Sequence, residues 1–105
     1  GGERRRLLMA RALAAPAPIM ALDEASEHLD ATTADRLMDT LLTPSPSRAT
    51  LVVTHRLSAL DKADHVLVLA APQPGACASV AAYGTHTDVL NALPTYRQAL
   101  DQEEQ

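Results

Sequence analysis

The sequence predicts an α/β fold, a mainly parallel sheet flanked by helices. Three observations carry this. An apolar run at residues 19–22 follows Pro18 and ends on two adjacent carboxylates, Asp23 and Glu24. A second run, residues 50–54, ends at His55. Between them Leu37, Met38, Leu41 and Leu42 have the spacing of a one-sided helix. An apolar run of about four residues is too short for a helix of its own and suits a buried parallel strand. Open sheets of this kind bind ligands where the chain leaves the carboxyl ends of the strands. Asp23, Glu24 and His55 all fall there.

Residues 2–15 read as a helix. Two glycines are followed by the good helix formers Glu, Arg, Leu, Met and Ala. Leu7, Ala10 and Leu13 share one face, flanked by Leu8 and Ala14, and that face suits packing on a sheet. Pro16 and Pro18 stop the helix and turn the chain into the first strand. After Asp30, a natural cap, a second helix starts, with Asp35 placed early to suit the helix dipole. Residues 43–48 are a turn-rich linker to the second strand. A short helix at about 57–63 leads to a third strand, 66–70, and this alternation implies parallel pairing through crossovers. Pro72, Pro74 and Gly75 mark a turn, 77–83 a weak edge strand, and 85–90 and 95–102 two short helices.

The 105 residues are enough for one small domain. The chain opens without Met, and it reads as a fragment of a longer protein. A net charge of −4 argues against a nucleic-acid surface. The Arg4-Arg5-Arg6 run is the basic cluster, and it reads as a solvated helix face. Cys77 stands alone, so there is no disulfide or multi-cysteine metal framework. No apolar run approaches the ~18 residues of a membrane span. Two Tyr, with no Trp or Phe, leave the core to Leu, Val, Ile, Met and Ala.

Asp23 and Glu24 can share one site in different roles. One can hold a hydrated Mg²⁺, which favours hard oxygen ligands; the other can orient and deprotonate a water. Alone, such a pair would read first as the cap of the next helix, and its surroundings reverse that. His55 can donate a hydrogen bond to a phosphoryl oxygen, or to a loop carbonyl. Gly1 and Gly2 present bare N–H groups at a helix start, a cradle for phosphate. His28, His65 and His86 show no metal-site spacing and read as surface residues.

Four segments in order resemble the motifs of an ATP-binding-cassette (ABC) ATPase. Gly1-Gly2-Glu3-Arg4-Arg5-Arg6 resembles the end of its signature motif, without the leading Leu-Ser. Residues 19–24 resemble the Walker B strand, Glu27-His28-Leu29-Asp30 the D-loop, and residues 51–56 the switch-histidine strand of exporters. The resemblance makes the chain the C-terminal portion of a P-loop ATP-binding-cassette domain, with ATP and Mg²⁺ as cofactors. It implies that Asp23 positions Mg²⁺, Glu24 polarises the attacking water and His55 contacts the γ-phosphate. Gly1, Gly2 and Glu3 would reach the nucleotide of a second ATPase domain, homologous or identical, docked head to tail. Asp30 would lie at that interface. Ala25 and Ser26 stand where the family usually has Pro and Thr.

A P-loop, a glutamine loop and an adenine-stacking aromatic are absent from the sequence, so the segment holds the second half of a nucleotide site. Gly84-Thr85-His86 followed by Asp88-Val89-Leu90 resembles the tail of exporter-type domains. The Glu27-His28 pair is similar to subunits of the bacterial thiol (cysteine or glutathione) exporter needed for cytochrome bd assembly. The implied partner is a transmembrane domain, with the ATPase on the cytoplasmic face of the membrane. A soluble, non-transporter ABC ATPase and a non-catalytic dimerisation module are the alternatives; Arg56 after the histidine, where the soluble ATPases often have Asp, speaks against the first.

Overall fold

The computed structural model describes residues 2–104. They fall into two compact units, one ending at His55 and the other starting at Arg56.

The first unit contains α1 (Gly2–Ala14), β1 (Ile19–Asp23), α2 (Ala31–Leu42) and β2 (Ala49–Val53). β1 and β2 pair in parallel, from Ile19 opposite Ala49 to Asp23 opposite Val53, so both strands finish side by side. α2 packs against β2 and buries Ala34, Met38 and Leu41. Asp30 caps it: its carboxylate accepts from the Thr33 amide at 3.1 Å and the Thr33 hydroxyl at 2.6 Å. These bonds hold the Asp30 carboxyl below the ordinary carboxylate range.

Two expectations for this unit change. The strands were expected to be buried, yet the face bearing Ile19, Leu51 and Val53 is exposed, with Met20 buried on the other side. In α1 the half-buried residues are Met9 and Ala12, whereas Leu7, Ala10 and Leu13 are exposed. The end of α1 is fixed by Arg48, which donates to the carbonyls of Ala15 at 2.6 Å and Leu13 at 3.3 Å. It satisfies the carbonyls that a helix end leaves unpaired. A tie across 33 to 35 residues leaves no trace in helical periodicity.

The second unit begins with a 3₁₀ turn, Leu60–Lys62, in place of the expected short helix. Then come β3 (Val66–Ala70), β4 (Ser79–Gly84), α3 (His86–Ala92) and α4 (Pro94–Glu103). β3 pairs with β4 antiparallel, with an irregularity between Val68 and Leu69, and does not extend a parallel ladder. The turn around Pro72, Pro74 and Gly75 (φ 82°) returns the chain at once. A short return dictates antiparallel pairing; a parallel one needs a crossover of about a dozen residues or more. Val66, Val89 and Tyr96 form the core, with Leu57, Leu60, Val68 and Leu93 packed on it. His86 is half-buried, correcting its reading as a surface residue: Nδ1 lies 3.0 Å from the Tyr96 hydroxyl. Burial pushes the Tyr96 hydroxyl above its ordinary pKa, with Glu103 and Asp61 adding to the shift.

Thr85 and Asp88 form a reciprocal capping box at α3: the Thr85 hydroxyl accepts from the Asp88 amide, and the Asp88 carboxylate accepts from the Thr85 amide. Gly84 permits it. A Cβ there would sit 2.8 Å from Asp88 Oδ2 and 2.9 Å from Asp88 Cβ. Gly84→Ala is therefore expected to destabilise the second unit by about 1–3 kcal/mol, the range for inserted atoms in packed sites. Thermal melting checks this, and an unchanged melting temperature would contradict it.

Candidate functional site

Asp23 is the last residue of β1, and Glu24 follows it directly. Glu24 is anchored by its amide, which donates to the Val53 carbonyl at 2.8 Å. Its φ is 51°, the left-handed region that non-glycine residues rarely occupy. Such a residue costs on the order of 1–3 kcal/mol and persists where its surroundings fix it. Beyond Val53 the chain reaches His55, whose side chain is 98% exposed, and Glu24 Oε1 lies 3.3 Å from His55 Nε2. Parallel pairing in this register thus brings together an acid and a histidine that are 31 residues apart, with Asp23 beside them.

A groove of about 440 Å³ opens at this end of β1, lined by Arg5, Leu22, Asp23, Glu24 and Glu27 among others. Arg5 and the three acids give it polar groups for a ligand, Leu8, Met9, Leu22 and Ala25 line the rest, and His55 does not line it. Glu3 lies in the first turn of α1 and Asp30 caps α2; neither lines the groove. Gly2 begins α1, while Gly1 lies outside the described residues.

Two features of the site escape sequence reasoning. Arg5 lies on an exposed face, as read, and its Nη1 in addition donates to Glu27 Oε2 at 3.1 Å. His28 takes φ 67° in the loop before Asp30, a conformation uncommon for a non-glycine residue.

No protein-family model matches the chain. Curated relatives do. The chain is 42% identical over 90 residues to an ATP-dependent lipid A-core flippase of Pseudomonas savastanoi pv. phaseolicola (strain 1448A / Race 6); this covers 86% of the chain and 14% of the relative. It is 41% identical over 91 residues to a protein of the same name from Alkalilimnicola ehrlichii (strain ATCC BAA-1101 / DSM 17681 / MLHE-1), covering 87% of the chain and 14% of the relative. The chain thus spans about one seventh of these relatives' length.

Among solved structures, a bacterial Atm1-family ABC exporter with ATP bound matches at a TM-score of 0.73 and 31% identity, over 100% of this chain and 17% of that one. A structure from work on ATP-driven dimerization of SMC ATPases matches at a TM-score of 0.68 and 23% identity, over 92% of this chain and 61% of that one, and bears on the fold alone. The mixed sheet-and-helix architecture of this chain is that of part of an ABC ATPase domain, and its sequence is similar over most of its length to ABC exporters.

Proposed function

We propose that the chain is part of the ATP-hydrolysing domain of an ABC exporter, with Glu24 as the base that orients and deprotonates the attacking water. The observation that carries this reading is the 3.3 Å approach of Glu24 Oε1 to His55 Nε2 at the shared end of two parallel strands. His55, almost fully exposed, is free to turn a ring N–H toward a terminal phosphoryl oxygen as charge develops there. Asp23 offers an exposed carboxylate in the groove that Glu24 also lines. That donor fits Mg²⁺, which takes one or two protein carboxylates beside water and substrate phosphates. Among the described residues no group of three His, Cys, Asp or Glu could hold a metal alone, so phosphates and water would complete the shell. When bound, Mg²⁺ offsets charge on the phosphates.

Gly1, Gly2, Glu3 and Asp30 are assigned to the interface with a second ATPase domain docked head to tail, by resemblance to the signature motif and the D-loop. No described helix is long and apolar enough to cross a membrane. A transmembrane domain as partner, and a place on the cytoplasmic face of the membrane, follow from the likeness to exporters. The 41–42% identical relatives carry a lipid A-core flippase name, which favours a lipid cargo; thiol export rests on the resemblance of the Glu27-His28 pair alone, and no relative named above carries it.

Steady-state ATP hydrolysis by the purified intact chain, meaning the longer protein that supplies the P-loop half of the site, with its partner subunit if it has one, tests the function. Turnover is expected to require Mg²⁺ and to fall sharply in Asp23→Asn. Turnover indifferent to both would contradict the site. In the same preparation, stimulation by glutathione or cysteine supports thiol export, and stimulation by lipid A-core supports a flippase.

A further inference from the structure

We propose that the Arg5–Glu27 ion pair is a positioning clamp, which holds the loop between Glu24 and Asp30 in the geometry that turnover needs. This rests on the reading of Glu24 as the base of an ATP site. Arg5 Nη1 donates to Glu27 Oε2 at 3.1 Å, bridging α1 to a loop 22 residues further on. Both residues line the groove that Asp23 and Glu24 line. The loop holds two non-glycine residues in the left-handed region, Glu24 at φ 51° and His28 at φ 67°. Such conformations persist only where the surroundings determine them.

Inside the loop, the Glu27 amide donates to the Glu24 carbonyl at 3.1 Å, the Leu29 amide donates to the Ser26 carbonyl at 3.3 Å, and Ser26 is buried. These bonds fold the loop on itself. The Arg5–Glu27 pair ties the folded loop to α1. Each side chain is 47% exposed, so the pair adds little to stability. Its effect lies in placement, to which catalysis is sensitive: a displacement of about 1 Å can cost about a hundredfold. Arg5 and Glu27 act as positioning residues, through the loop that follows Glu24.

The test uses the intact chain with Arg5→Gln, Glu27→Gln and the charge swap Arg5→Glu/Glu27→Arg, measuring kcat, KM for ATP and the melting temperature. Each single substitution is expected to lower kcat by about three- to tenfold, within the range of small misplacements. KM should change less than kcat, and the melting temperature should stay within about 3 °C. The swap should recover at least half of the lost kcat. Unchanged kcat in both singles would overturn the clamp. So would a swap no better than the worse single, or a loss of kcat that only tracks a loss of folded protein. Glu24→Gln in the same series separates the two readings. If it abolishes turnover while the Arg5 and Glu27 variants behave as the parent, the clamp alone fails. If it hydrolyses ATP normally, the ATP-site reading fails first.

Discussion

Glu24→Gln in the intact chain is expected to lower ATP turnover by at least about a hundredfold, the share a positioned general base typically contributes. The substitution keeps size and shape and removes the basic oxygen. The backbone that presents it depends on the hydrogen bond its N–H donates to the Val53 carbonyl, which the substitution leaves alone. Asp23 is untouched, so ATP and Mg²⁺ should still bind, and the closed pair of ATPase domains should persist with ATP trapped. Where two different subunits pair, hydrolysis at the partner's site would mask the loss, so nucleotide trapped per site is read beside turnover. Near-normal hydrolysis with no trapped ATP would remove Glu24 from the role of base.

His55→Ala is expected to lower turnover by about a hundred- to a thousandfold, the cost of one lost transition-state donor. ATP affinity should fall modestly. The melting temperature should barely move, because the side chain is 98% exposed. A histidine that merely packs gives the opposite pattern: a large fall in melting temperature with proportionate loss of every activity. Turnover, ATP affinity and melting measured on one preparation tell the two apart.

Much of the architecture was legible because it is local. The apolar runs ending at Asp23 and His55 gave β1 and β2 to within a residue, and Asp30 caps α2 as its type and position suggest. What was not legible depends on residues far apart in the chain. The end of α1 is tied by Arg48, which reaches the carbonyls of Leu13 and Ala15 from far along the chain. The antiparallel pairing of β3 is decided by the turn after it, a weaker signal than the strand–helix alternation before it. The Glu103 carboxylate, which accepts from the Leu57 amide at 2.7 Å and the Ser58 hydroxyl at 3.3 Å, closes the second unit across some 45 residues. At the site, the residue types were readable, but the left-handed backbone at Glu24 and His28 was not, since neither is the glycine that usually marks it. The Arg5–Glu27 pair was hidden for the same reason as Arg48: an ion pair between separate elements has no periodicity.

If Glu24 and His55 act as one catalytic site, a double-substitution cycle shows it most directly. Single-turnover ATP hydrolysis is measured in the intact chain for the parent, Glu24→Gln, His55→Ala and the two combined. Groups that act as a unit are strongly non-additive. The expected result is that the combined variant is scarcely slower than the slower single, with bound ATP still detectable in all four. Losses that multiply fully, as for two independent sites, would contradict a shared site at the ends of β1 and β2.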